Sequence, residues 1–193
     1  MYNCLIKERL KDSIKVKEEL LENPELLEMV SRLADEIVLA IKYGKKVVIC
    51  GNGGSASDAL HFAGELMGRF QKERNTWPAV VLNSDVATMT AIANDYGYDN
   101  IFARQAQGHV NAGDVFIGIS TSGNSENVYR AVEVAKSKGA KTAALLGKDG
   151  GKICKQVYYP IVVPSMTTAR VQESHITLIH IMCEIAEEKL DNE

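Results

Sequence analysis

The spacing of apolar positions changes character at Gly44. Before it, Leu5, Leu10, Ile14 and Leu21 mark an apolar stripe among lysines and glutamates. Asn23-Pro24 interrupts that pattern, because proline suits a helix start and disfavours the helical conformation in the residue before it. Leu27, Val30, Leu33, Ile37, Val38 and Ile41 then recur close to a 3.6-residue period, and Gly44 fits as a C-cap. The first 43 residues therefore read as two helices. After Gly44 the apolar residues come in short continuous runs. Lys46 to Cys50, Ala79 to Leu82, Asp114 to Ser120, Lys141 to Leu146 and Val157 to Val163 read as strands. Helices are predicted from Asp58 to Phe70, Asp85 to Tyr96, Asn100 to His109, after Ser125 to about Ser137, and from Thr168 to Lys189. Strands without alternation imply burial on both faces, and helices between them imply right-handed crossovers and a parallel sheet. The expected fold class is α/β: a three-layer sandwich with a five-stranded parallel sheet, flavodoxin-like in order, plus an N-terminal helical hairpin.

Composition narrows the function classes. The chain has 193 residues, 46% of them hydrophobic and 24% charged, which excludes a disordered or fibrous protein. That is enough apolar material for a core without disulfides. The formal net charge of -3 carries no basic excess, so nucleic acid is not an expected partner. No apolar run approaches the ~18 residues of a membrane span, so a membrane is not one either. Charges at Lys7, Glu8 and Arg9 come too early for a signal peptide. Cys4, Cys50, Cys154 and Cys183 form no CxxC pair and no zinc-finger spacing. Free thiols in a reducing cytoplasm are the simplest account.

In open parallel sheets, ligands bind beyond the carboxyl ends of the strands, where two glycine- and serine-rich turns fall. The first is Gly51-Asn52-Gly53-Gly54-Ser55-Ala56-Ser57. Glycines let the backbone approach an anion, and the helix that follows offers free N–H groups. The loose dinucleotide pattern formed by Gly51, Gly53 and Ala56 lacks an acidic residue about 20 positions on, and no Gly-Lys-Ser/Thr makes it a P-loop. The alternative is a tight turn that needs glycine only for shape. The second turn, Ser120-Thr121-Ser122-Gly123-Asn124-Ser125, places four hydroxyls in six residues. Hydroxyls and helix N–H groups wrap a phosphate monoester without fixed positive charge. Helix capping is the competing account, but a cap needs one such residue.

Polar residues on the helices add candidate chemistry. His61 and Glu65 stand four apart, one turn along one face. The pair suits a divalent metal, or a local hydrogen bond. Gln172, His175 and His180 lie amid apolar residues near the C-terminus. A histidine on so apolar a helix is more often a satisfied core residue than a ligand. Eight residues separate Gln172 from His180, roughly 12 Å of rise. The two lean so that reaching one metal from one copy of the helix is awkward. A site shared between subunits removes that difficulty. Asn94-Asp95 is explained adequately by turn chemistry, and His109, Asp85 and Trp77 carry no spacing signal.

Four segments together resemble the phosphoheptose isomerases of the sugar isomerase (SIS) domain superfamily. They are Val48 to Glu65 (VICGNGGSASDALHFAGE), Ala93 to Tyr98 (ANDYGY), Gly118 to Ser125 (GISTSGNS), and Gln172 to His175 (QESH) followed by His180. The resemblance covers nearly the whole chain. It implies a single SIS domain over residues 1–193, with 1–43 as a helical extension involved in oligomerisation. It implies isomerisation of D-sedoheptulose 7-phosphate to D-glycero-D-manno-heptose 7-phosphate through an enediol, opening a bacterial heptose nucleotide pathway. Carried over by position, Asn52, Gly53, Gly54, Ser55, Asn94 and Asp95 contact the sugar phosphate, with Glu65 and Gln172. Ser120, Thr121, Ser122 and Ser125 hold the phosphate. His61, Glu65, Gln172 and His180 match the family's zinc ligands, and Glu65 and His180 its catalytic acid–base pair. A homotetramer with intersubunit active sites and a cytoplasmic location are also implied. Two other readings compete. A non-catalytic SIS module, either a sugar-phosphate sensor or a partner of a replication initiator, keeps the phosphate turn but has no need of the four polar residues. An isomerase for another sugar phosphate, such as a pentose phosphate, remains the third.

Overall fold

Each apolar run crosses the sheet once, and the turn after it, glycine-bearing after β1, β3 and β4, sends the chain into a helix. The computed structural model describes residues 2–191. Helices α1 (Asn3–Leu21) and α2 (Pro24–Lys42) precede β1 (Val47–Gly51), α3 (Gly54–Met67) and β2 (Ala79–Val81). Next come α4 (Val86–Tyr96), a 3-10 turn at Tyr98–Asn100, α5 (Ile101–His109), β3 (Val115–Ser120) and α6 (Glu126–Ser137). The chain continues through β4 (Lys141–Gly147), α7 (Gly151–Cys154), β5 (Tyr159–Val163) and α8 (Thr168–Asp191).

The five strands are parallel in the order β2-β1-β3-β4-β5. This is the doubly wound, flavodoxin-like order, whose switch point lies between β1 and β3. Val47, Ile49, Ile117 and Leu145 point into a core shared with α2, α3 and α8. Their neighbours Val48, Cys50, Phe116 and Leu146 point into a second core shared with α5 and α6. Two apolar layers, one per face, are why these strands carry no alternation.

Some boundaries differ from the sequence-based expectation. Helix α3 starts at Gly54 rather than Asp58, because Gly53 takes the turn itself at φ +56°. It ends at Met67, and residues 68–78 run as a loop back to β2. Strand β5 begins at Tyr159 instead of Val157, and the four-residue α7 has no signal in the periodicity. The apolar stripe of α1 does not pack inside the chain. Leu10 and Ile14 are 60% and 56% exposed, Leu5 and Leu21 are exposed as well, and α1 buries Val16 and Leu20 instead. Helix α4 contains no buried residue. Among the described residues no helix is long and apolar enough to cross a membrane.

Candidate active site

Both glycine- and serine-rich turns leave the carboxyl ends of the neighbouring strands β1 and β3, on either side of the switch point. Their helices begin differently from α2 and α4. Asn23 caps α2 by accepting the Leu26 N–H at 3.0 Å, and Asp85 caps α4 by accepting that of Thr88 at 3.1 Å. At the start of α3 and of α6 no side-chain cap forms. Ser125 stands at the N-cap of α6, yet its hydroxyl pairs with that of Ser120 at 2.9 Å. The Ser122 hydroxyl accepts the Asn124 N–H at 3.2 Å. Capping therefore does not explain these hydroxyls. Two helix starts thus stand side by side beyond neighbouring strands, an arrangement that suits an anion.

The two turns are tied together by residues that spacing did not single out. Asn52 and the buried Asn127 exchange carboxamide hydrogen bonds at 2.9 and 3.0 Å. The Tyr98 hydroxyl donates to Asn52 Oδ1 at 2.9 Å, joining the ANDYGY segment to the first turn. Asn94 and Asp95 pair with each other at 2.9 Å on the exposed end of α4. Gly123, at φ +66°, is fixed by contact: a Cβ there would lie 2.0 Å from the Gly150 carbonyl oxygen.

A second centre lies between α3 and α8. His61 Nε2 is 3.0 Å from Glu65 Oε1 and 2.9 Å from His180 Nε2. One donor atom from each of the three residues lies within 4.8 Å of the others. Two imidazole nitrogens and a carboxylate oxygen match the donor set of a catalytic zinc site, which keeps its fourth position open. The His61 side chain is 45% exposed, so solvent and substrate reach the group. Nearby, burial raises the Asp58 carboxyl above its usual range, opposed by the charge of His61. The Gln172 carboxamide lies against Gly54, where a Cβ would stand 2.2 Å from Nε2, about two helical turns before His61. His175 is a core residue: fully buried, it bonds the Leu146 carbonyl at 2.9 Å, and burial pushes its pKa down to about 4.

Comparison with known proteins now decides the family. A family model described as the SIS domain matches residues 12–147. The phosphoheptose isomerase of Citrifermentans bemidjiense is 52% identical over 166 residues, covering 86% of each chain. This chain belongs to the phosphoheptose isomerase family. Solved phosphoheptose isomerases share its fold. The Neisseria gonorrhoeae structure superposes with a TM-score of 0.91 at 39% identity, covering 97% of this chain and 100% of that one. The Francisella tularensis structure gives 0.92 at 35% identity, covering 97% and 99%. As a phosphoheptose isomerase family member, the chain presents two chemically distinct centres, an anion crevice and a His/Glu/His group. His61 and Glu65 follow Ser55 on α3 by six and ten residues, roughly 9 and 15 Å of rise along the helix.

Proposed function

We propose that the protein isomerises D-sedoheptulose 7-phosphate to D-glycero-D-manno-heptose 7-phosphate. The convergence of His61, Glu65 and His180 carries this reading, because a binding module has no use for an acid–base group open to solvent. Family membership supports the substrate.

The phosphate rests on Ser120, Thr121, Ser122 and Ser125 and the N–H groups of α6, with Asn52, Gly53, Gly54 and Ser55 beside it. Asn94 and Asp95 contact the sugar. The Glu65 carboxylate removes a proton from C1 of the ketose and returns it to C2. His180 supplies a proton to O2 as the enediol forms and accepts one from O1 as it collapses; imidazole suits both near neutral pH. His61, Glu65 and His180 would hold zinc, with Gln172 as a further ligand; Glu65 and His180 serve as ligand or as proton carrier at different moments. When bound, the ion supplies polarisation of the carbonyl and stabilisation of the enediolate.

The uncovered apolar stripe of α1 supports a homotetramer whose sites combine residues of different protomers. In this reading residues 1–193 form one SIS domain, and 1–43 serve assembly. A biosynthetic isomerase with free thiols fits the cytoplasm.

The test is turnover of sedoheptulose 7-phosphate with and without added zinc, beside Glu65→Gln. The unsubstituted protein forms the aldose. The variant folds, keeps its subunits and binds substrate, and loses on the order of 10²-fold or more in kcat. A stable complex without turnover in the unsubstituted protein overturns the enzyme reading. Near-normal turnover by Glu65→Gln overturns the role given to Glu65.

A further inference from the structure

The loop at residues 68–78, between α3 and β2, is anchored by one buried carboxylate. Glu187, on α8 two turns beyond His180, is 2% exposed. Its oxygens accept the backbone N–H groups of Phe70, Gln71 and Lys72 at 3.0, 2.9 and 2.9 Å. They also accept Arg74 Nε at 3.0 Å. The other end of the same guanidinium holds the end of α3. Arg74 Nη2 donates to the Glu65 carbonyl at 2.7 Å, and Nη1 to that of Leu66 at 3.0 Å. The plane of Arg74 lies 3.4 Å over the Trp77 ring, which removes its remaining freedom. The anchored loop then lays Phe70 against His180, with ring centroids 5.5 Å apart and 25° between planes.

The metal group stands astride this junction. His61 and Glu65 come from α3 and His180 from α8, so the distance between donors depends on how the two helices are fixed to each other. Arg74 grips the backbone of Glu65 itself, and Glu187 grips Arg74 from the helix that bears His180. A peripheral loop that served only to reach β2 would need neither contact.

We propose that Arg74 and Glu187 are positioning residues for the metal centre, a latch that fixes His61 and Glu65 against His180, with Phe70 holding the His180 ring in its plane. This rests on the proposed metal site. The latch touches neither ion nor substrate. It acts by removing freedom from the ligands, so its loss lowers affinity for the ion. Outer-shell partners of metal ligands have effects of about 10- to 100-fold.

The experiment measures zinc affinity by chelator competition, and the visible spectrum of the cobalt-loaded protein, for the unsubstituted chain and four variants. Arg74→Lys keeps a cation beside Glu187 but cannot hold both carbonyls of α3. Glu187→Gln removes the charge that gathers the loop. Phe70→Leu removes the ring from His180 at a half-buried position and leaves the anchor in place. Tyr159→Phe is a control that loses a 2.6 Å hydrogen bond to Glu36 at the opposite edge of the sheet. Folding is checked by circular dichroism. The expected result is about tenfold or greater weakening for Arg74→Lys and Glu187→Gln, a smaller loss with an altered cobalt spectrum for Phe70→Leu, and no change for Tyr159→Phe. If Glu187→Gln fails to fold, Arg74→Lys and Phe70→Leu decide. Unchanged affinity and spectra in the folded variants overturn the latch while the metal site stands. Failure of the unsubstituted chain to bind zinc or cobalt overturns the metal reading, and the latch with it.

Discussion

His175 and His180 lie five residues apart on one helix and have opposite fates. His180 meets His61 at 2.9 Å in a group open to solvent. His175 is enclosed and held neutral by desolvation, with its pKa near 4 against an ordinary 6.5. A depressed histidine pKa means that the unfolded chain takes up the proton first. The stabilisation from keeping His175 neutral is complete above about pH 6.5 and is lost as pH falls from there toward 4. A shift of this size corresponds to about 3 kcal/mol at most. Urea unfolding across that range, compared with His175→Phe, checks it. The variant is less stable at pH 7.5 by about 1–3 kcal/mol, because the Leu146 carbonyl loses its donor. The gap narrows as pH falls to 4. A constant gap means that His175 does not titrate as its burial dictates.

At the scale of elements, α3 and α6 begin without side-chain caps, as α1, α5 and α7 do, while α2 and α4 have them. In the second turn Ser120 and Ser125 bond to each other and Ser122 to its own loop, and none of them caps α6. That turn is braced from behind by α7, whose Ile153 N–H donates to the Gly123 carbonyl at 3.0 Å. Gly123→Ala places a Cβ against the Gly150 carbonyl in a left-handed backbone conformation. It should cost more than about 1 kcal/mol, lower Tm by at least about 2 °C, and weaken protection by inorganic phosphate. Thermal melts with and without phosphate read both effects. An unchanged melt that retains the phosphate shift would show that the brace is dispensable. The sequence made these turns legible by composition alone. It did not reveal Asn127, Arg74 or Glu187, because each acts on a residue tens of positions away and none carries a spacing signal.

At the scale of the molecule, the uncovered stripe of α1 bears on the proposed assembly. Leu10 and Ile14 are exposed on the isolated chain at a cost that a partner surface would offset. Replacing both by glutamate should leave the circular dichroism of the fold intact, reduce the sedimentation coefficient to that of a smaller species, and abolish most turnover. A variant that sediments as the unsubstituted protein does places the interface elsewhere. Full turnover by a dispersed variant would mean that each chain carries a complete site.

The amino-acid order alone determined the layered α/β architecture, since continuous apolar runs can only be buried on two faces. It also determined the location of both turns, since glycine and hydroxyl residues after a strand have few other uses there. Local pairing did the same for His61 and Glu65, one helical turn apart. Spacing alone left His175 and His180 equivalent amid apolar neighbours; the resemblance pointed to His180, and the packing of α3 on α8 brings it to His61 while burying His175. Only the tertiary structure set Gln172 beside Gly54 and turned the stripe of α1 outward. Such outcomes depend on contacts between distant segments, and periodicity within one segment does not encode what packs against it.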